Sequence, residues 1–282
     1  MQENFDAIIL AGYDADRIDA LTEITGEPHK ALVPIAGKPM VVHVVEALNA
    51  SQRIGRVVIV GMSQEDGITF ESEVHYLPDS GSLFENTATA FEYLATVQDV
   101  GRHALLTSAD IPLVTAEMVD WFLNACRPYD HDVYWGLTEK SVMEKTFPNS
   151  QRTYAHLVEG SFCNGEFYLG RIEAALRRQE LFRDMIANRK NVFRQVRILG
   201  FRVMLKFVFR RLTIDDLLGV IRRALQLEGA PVILPFAETG MDIDKPQHLE
   251  HVEAYIARYG GESAWHAPDS PAHSPPSSDP NG

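Results

Sequence analysis

The sequence predicts an α/β protein, a mostly parallel sheet flanked by helices with a helical insertion in its second half. Three observations predict it. Continuous apolar runs of strand length recur through the first half, helix-length segments separate them, and the pattern turns helical after residue 171 before one more strand and one more helix. Strands joined by helix-length connections are the mark of βαβ units, whose strands are buried on both faces and so read as unbroken apolar runs.

The elements follow in order. Ala7 to Ala11 (AIILA) is a strand ended by Gly12 and a polar loop. Pro39 opens the helix MVVHVVEALNA, because the first turn of a helix has no intrahelical partner for its N–H groups. Arg56 to Gly61 is a buried strand, about Ser82 to Thr96 a helix, and Ala104 to Ser108 a strand. Thr115 caps a helix to Ala125. From about His131 shorter strands are expected at Asp132 to Leu137, His156 to Val158 and Glu166 to Gly170, with antiparallel pairing open. Arg171 to Leu227 reads as mostly helical, and Thr213 with Asp216 resembles a capping box. Pro231 to Phe236 returns as a strand, and Pro246 starts a last helix through about Tyr259. One domain is therefore expected over 1–259, followed by a Pro- and Ser-rich disordered tail over 260–282.

Composition narrows the function classes. The chain has 282 residues, enough for a core that needs no staple, and only two cysteines, Cys126 and Cys163, too few for a disulfide framework or a zinc site. The acidic start MQENFD runs directly into an apolar strand and no run of eighteen apolar residues follows. A cytoplasmic location is expected. A net charge of −13 argues against a nucleic-acid partner. The charge is uneven, however. Arg171 to Arg223 holds 14 Lys/Arg against five Asp/Glu, a local net of +9, which leaves −22 on the remainder.

Three segments follow expected strands or precede helices and should gather at the carboxyl edge of the sheet, where open α/β sheets bind ligands. In Leu10 to Met40 a strand ends at Gly12, whose missing side chain lets the backbone approach a planar base or a phosphate; Lys30 and Gly37-Lys38-Pro39 follow. Neither a Walker loop nor G-x-G-x-x-G is present, and a surface loop with scattered lysines is the plain alternative. In Leu105 to Val114 a buried strand delivers Asp110 before an Ile-Pro break. Such a carboxylate suits magnesium, which takes one or two protein carboxylates with phosphate oxygens and water, and equally suits turn amides. In Gly240 to Glu250, Asp242 and Asp244 precede the last helix; either is a metal ligand by type, Asp244 also suits the helix cap, and spacing does not divide the tasks.

Taken in order, Leu10-Ala11-Gly12, His29-Lys30 through Gly37-Lys38-Pro39-Met40, Ala109-Asp110-Ile111-Pro112 and Asp242-Ile-Asp244-Lys-Pro246 resemble the MobA-like NTP transferase family. These are nucleotidyltransferases with a Rossmann-like, glycosyltransferase-A-like fold. The resemblance covers about Phe5 to Ala257. It implies transfer of an NMP group from an NTP to a phosphorylated small-molecule acceptor, with magnesium and release of pyrophosphate. It also implies that Leu10, Ala11 and Gly12 hold the base, that Lys30 contacts the phosphates, and that Asn86 and Thr87 lie near base or ribose. Asp110 would bind magnesium with Asp244, the aspartate directly before the Lys-Pro step, while Asn164 and Gly165 would line the acceptor pocket. The chain departs from the family in its first loop, where Gly-x-Gly-x-Arg is replaced by Gly12-Tyr-Asp-Ala-Asp-Arg17-Ile-Asp. Three aspartates repel a triphosphate, so either the loop is displaced, or Arg17 and Lys30 take over the phosphates, or catalysis is lost; a divergent active loop is expected, because Lys30, Asp110 and Asp244 remain.

The insertion contains VRILGFRVMLKFVFRRL, with basic residues every four or five positions. It reads as a membrane-surface helix, as a subdomain folded over the sheet, or as a source of arginines for the acceptor. The histidines show no metal-binding spacing, His43 suits a helix face, and neither cysteine carries a sign of thiolate activation. A non-catalytic nucleotide-binding protein is the alternative function. A glycosyltransferase is a weaker one, because the strand end reads Ala-Asp-Ile-Pro and not Asp-x-Asp.

Overall fold

The computed structural model describes residues 3–12, 20–99, 102–177, 179, 201–259 and 263–265. Its framework is an eight-stranded sheet whose path runs β10-β7-β9-β6-β1-β4-β5, with β8 paired to β9. Strand β1 (Phe5–Leu10) lies between β4 (Ile54–Val60) and β6 (His103–Ser108) and is parallel to both; β5 (His75–Leu77) extends β4 in parallel. At the other end, β7 (Val133–Glu139) and β10 (Gly229–Leu234) are parallel neighbours. Between the two halves runs β9 (Ser161–Arg171), antiparallel to both β6 and β7, and β8 (Ala155–His156) joins it in a short antiparallel hairpin. A second, two-stranded ribbon is made by β2 (Pro34–Ile35) and β3 (Lys38–Pro39).

Both faces of the sheet are covered, as the apolar runs require. Ala7 and Ile9 of β1 pack with α2 (Met40–Ala50) and α4 (Ala116–Ala125) through Val41, Val44, Leu48, Met118 and Phe122. Ile8 points the other way, into a cluster with Val58, Val60 and the Ala90, Phe91 and Leu94 of α3 (Leu83–Val97), closed by Ile172 of α6 (Ile172–Arg177). Successive strand residues face opposite sides, so both parities must be apolar. Ser82 and Thr115 cap α3 and α4 by accepting the N–H of Glu85 and Met118.

A third cluster lies under the ligand edge. It joins Leu21 of α1 (Ala20–Thr25), Val33, Ile35, Met143 of α5 (Lys140–Thr146), Ile243, and Val252 and Tyr255 of α9 (Pro246–Tyr259). A fourth, small one belongs to the insertion: Val203 of α7 (Phe201–Val208) and Val220 of α8 (Ile214–Val220) pack with Leu212 and Leu157. The Thr213–Asp216 capping box is present in full. Residues 180–200 of the insertion and most of the segment read as a tail lie outside the described residues; Ser263 to Trp265 are described and dock on the body. Among the described residues, no helix is long and apolar enough to cross a membrane.

Candidate active site

A cleft of about 720 Å³ opens at the carboxyl ends of β1 and β6. One wall is the end of β1. There the chain passes so close to its neighbours that side chains are excluded: a Cβ on Gly12 would stand 2.1 Å from the Asn86 amide nitrogen, and one on Gly61 2.3 Å from the Gly12 Cα. Asn86 is itself committed to structure. Its carbonyl accepts the Ser80 N–H at 2.6 Å and its amide donates to Asp79 at 2.9 Å. Asn86 thus shapes the lip on which Gly12 lies, and Thr87 donates its hydroxyl to the Leu83 carbonyl. Leu10, Ala11, Gly12, Asn86 and Thr87 all line the cleft. Arg17 lies outside the described residues.

The floor is built by three chain segments. Lys30 begins a 3-10 turn, Lys30–Leu32, whose first N–H groups are steadied by the His29 imidazole accepting from Ala31. Asp110 follows β6 and accepts the Ser108 hydroxyl. Asp244 follows a loop tied to the same place, since Ile243 N–H donates to the Asp110 carbonyl at 3.0 Å. The Lys30 ammonium bridges Asp110 and Asp244 at 2.5 Å each. Burial alone would lower the Lys30 pKa, but the two carboxylates more than offset it and the ammonium is held above its ordinary value. Burial likewise disfavours an ionised Asp244, yet Lys30, with Arg152 beyond it, keeps that carboxyl below its usual range.

Asp242 completes an acidic group in which one oxygen from each of Asp110, Asp242 and Asp244 lies within 4.8 Å of the others. It differs from the other two in its partners. Arg152 donates to both its carboxylate and its carbonyl, and both side chains are about nine-tenths buried. Next to this pair His248 accepts the Asp244 N–H at 3.2 Å, its pKa pushed down to about 4 by burial and by the Arg152 charge. Asp242 is thus neutralised by Arg152, while Asp110 and Asp244 share Lys30. The start of α9 is organised by the Lys245 carbonyl, which accepts from His248 and Leu249, so the Asp244 carboxylate is engaged at the floor.

The far wall is β9, which runs on past the end of β6. Opposite Gly136 the register with β7 slips by two residues, so Gly165 to Phe167 bulge, and Glu166 takes a left-handed φ of 51°. Asn164, Glu166 and Tyr168 line the cleft; Gly165 is buried within the bulge. Asn164 donates to Glu166 at 2.5 Å. Burial, and then the neighbouring Asp110, push the Glu166 carboxyl up to about 7 despite the opposing Arg152 and Asn164. Glu166, Tyr168, Ser108 and Arg152 are site residues that the motifs did not single out. The one sequence signal was the alternation Asn164-Gly-Glu166-Phe-Tyr168, polar at every second position. Cys163 is buried beside this wall with its thiol raised to about 11, and burial raises Cys126 well above its ordinary value, so neither offers a thiolate at neutral pH.

The donor set fits a divalent cation: two carboxylates converge on one point where a cationic nitrogen already stands. Such hard oxygens suit magnesium with phosphate and water completing its shell.

Comparison with known proteins agrees with this fold. The profile of the MobA-like NTP transferase domain matches residues 7–198. A hypothetical transferase from Thermus thermophilus is 32% identical, with a TM-score of 0.75 over 87% of this chain and 99% of that one. The fold is shared with CMP:2-keto-3-deoxy-manno-octonic acid synthetase complexed with CTP (16% identity, TM-score 0.55, 91% and 99% covered). It is shared also with 4-diphosphocytidyl-2C-methyl-D-erythritol synthase from Anaerococcus prevotii DSM 20548 (12%, 0.53, 91% and 97%). Among curated protein sequences none matches.

Proposed function

The chain belongs to the MobA-like NTP transferase family, and from that premise we propose that it moves an NMP group from an NTP to a phosphorylated small-molecule acceptor, with magnesium, releasing pyrophosphate. The observation that carries this reading is the meeting of Lys30, Asp110 and Asp244, the first and last 214 positions apart, at one point of the cleft floor. A scaffold kept only for nucleotide binding has no need of that convergence.

In this reading the exposed backbone at Gly12 receives the base, with Asn86 fixing the shape of that lip. Lys30 turns from the carboxylates to the phosphates and offsets charge as the α-phosphorus becomes five-coordinate. Asp110 and Asp244 would hold magnesium, which supplies Lewis-acid polarisation of the α-phosphate when bound. An acceptor phosphate oxygen is already anionic, so positioning and charge neutralisation suffice: the new O–P bond forms, the bond from α-phosphorus to the bridging oxygen breaks, and pyrophosphate leaves with the electron pair. Asn164 and Gly165 lie on the acceptor side. Glu166 favours a second acceptor class. A carboxyl poised near neutrality is superfluous for a phosphate nucleophile and suited to one that attacks through a hydroxyl, whose proton Glu166 would accept.

A pyrophosphate-release screen of four NTPs against sugar phosphates, polyol phosphates, pterin-type acceptors and the unphosphorylated polyols tests both. Turnover is expected with one pair, and Asp110→Asn should lower kcat at least about 100-fold with the fold and NTP binding intact. Near-wild-type turnover in that variant removes Asp110 from the metal site. Silence across the panel with NTP binding retained assigns the chain to the non-catalytic alternative.

A further inference from the structure

The insertion keeps one side in the molecule and leaves the other out. Val203 is buried at the inner edge of α7, and Leu212 after it packs with Val220 and Leu157. Beyond this anchor, Phe207, Val208 and Phe209 are 66%, 70% and 67% exposed, with Leu205 at 41%. Scattered single apolar residues on a surface mean nothing, but three consecutive ones and their neighbours form a patch that calls for a partner. Val158, 63% exposed, lies on the β8–β9 turn that is bound to the anchor, its N–H donating to the Leu212 carbonyl at 2.8 Å.

The shape of the patch restricts that partner. Successive helical side chains point about 100° apart, so Phe207 to Phe209 fan around the tip and do not form one flat stripe. A flat protein face covers only part of such a fan, whereas a fluid medium envelops all of it. The charge restricts the partner further. Phe201 to Arg211 contains Arg202, Lys206, Arg210 and Arg211 and no acid. Lys206 is paired with Asp216 of α8, while Arg210 and Arg211 are exposed and make no ion pair among the described residues. Asp215 and Glu159 are the other nearby acids, and Glu159 accepts the Ile214 N–H. The rest of the chain, at −22, is repelled by an anionic surface and turns this face toward it.

We propose that Phe207, Val208 and Phe209, with Arg210 and Arg211, form a docking knuckle for a bilayer carrying anionic headgroups. The apolar tip enters the interfacial layer and the two guanidinium groups meet the lipid phosphates. Two positively charged tips disfavour each other, which argues against a second copy of the chain as the occupant.

Flotation of the full chain with phosphatidylcholine vesicles, with and without phosphatidylglycerol, tests the proposal. The protein is expected to float with the phosphatidylglycerol vesicles, to do so less as salt rises, and to stay largely free with phosphatidylcholine alone. Phe207→Ser with Phe209→Ser removes exposed side chains only and should weaken binding at least about 10-fold. Arg210→Gln with Arg211→Gln should weaken it by a similar factor, at about 1 kcal/mol per basic residue. Absence of flotation, or flotation unchanged in the phenylalanine pair, overturns the proposal. So does concentration-dependent dimerisation that the phenylalanine pair abolishes, which would assign the patch to self-association.

Discussion

Glu166 on the far wall and His248 beside the Arg152–Asp242 pair titrate in opposite senses. A carboxyl that holds its proton more tightly folded than unfolded favours the folded state at low pH. The Glu166 contribution is therefore complete below about 4.5 and is lost as pH rises to about 7. His248 holds its proton less tightly when folded, so its contribution is complete above 6.5 and is lost as pH falls toward about 4. The two windows overlap and partly cancel. In metal-free protein, Glu166→Gln should leave the His248 slope unopposed. Urea denaturation should find the variant more stable than wild type at pH 8, by about 2 kcal/mol, and nearly equal to it at pH 4.5. Equal stabilities at both pH values would show that Glu166 is not shifted. Glu166 was marked in the sequence only by the polar alternation of 164, 166 and 168, because the bulge that aims it leaves no mark of its own in hydrophobic period. The division between Asp242 and Asp244 was also closed to spacing: it depends on Arg152, 90 positions away in the chain. Lys30 and Asp110 were legible, since each stands beside a feature that sequence shows, a glycine-ended strand with its loop and an Asp-x-Pro break.

Elements buried on both faces were legible as well. β1, β4 and β6 are centred on the apolar runs AIIL, VVIV and ALL, and α2, α3 and α4 carry start signals at Pro39, Ser82 and Thr115. β5 and α5 were not: three half-buried residues, and the polar heptapeptide KSVMEKT, hold their conformation through neighbours and not through local pattern. The contact between β1 and α3 is where two elements fix one another. Gly12→Ala places a methyl group within the space of the Asn86 amide and should cost about 1–3 kcal/mol. Asn86→Ala makes room for that methyl group, so the two changes should be non-additive, the double variant losing less than the sum of the single losses. A denaturation cycle reads this directly, and simple additivity would place Asn86 elsewhere.

At the scale of the molecule, Trp265 packs against the start of the loop that carries the floor carboxylates. Its ring lies 4.8 Å from Phe236 and 6.3 Å from Trp121, and Phe236 leads from β10 into the loop that carries Asp242 and Asp244. Tyr255 and Ser263 both donate to the buried Glu238 in the same loop, at 2.5 Å and 3.2 Å. A segment whose composition reads as disordered thus contributes an aromatic anchor, and composition averages hide one such residue. Trp265→Ala should cost about 2 kcal/mol, a fall of roughly 4–8 °C in Tm for a domain of this size. An unchanged thermal transition would show that the anchor is not formed in solution. The charge division holds at this scale too: the acidic body contains the floor carboxylates, and the basic insertion stands on the β8–β9 turn.

That turn leads into β9, the one strand of the sheet that runs against the rest. Being reversed, β9 begins at the ligand edge, and its early residues serve as pocket wall while its later ones hold the sheet together. Alternate positions 164 and 168, and 166 with residues that tolerate its left-handed φ, can exchange side chains without disturbing the core, because Cys163, Gly165, Phe167 and Leu169 between them carry the packing. A change of length there is another matter, since one residue gained or lost would carry every polar side chain inward and every apolar one into the cleft. The lining of the cleft is therefore open to variation by substitution at three sites and closed to it by insertion or deletion.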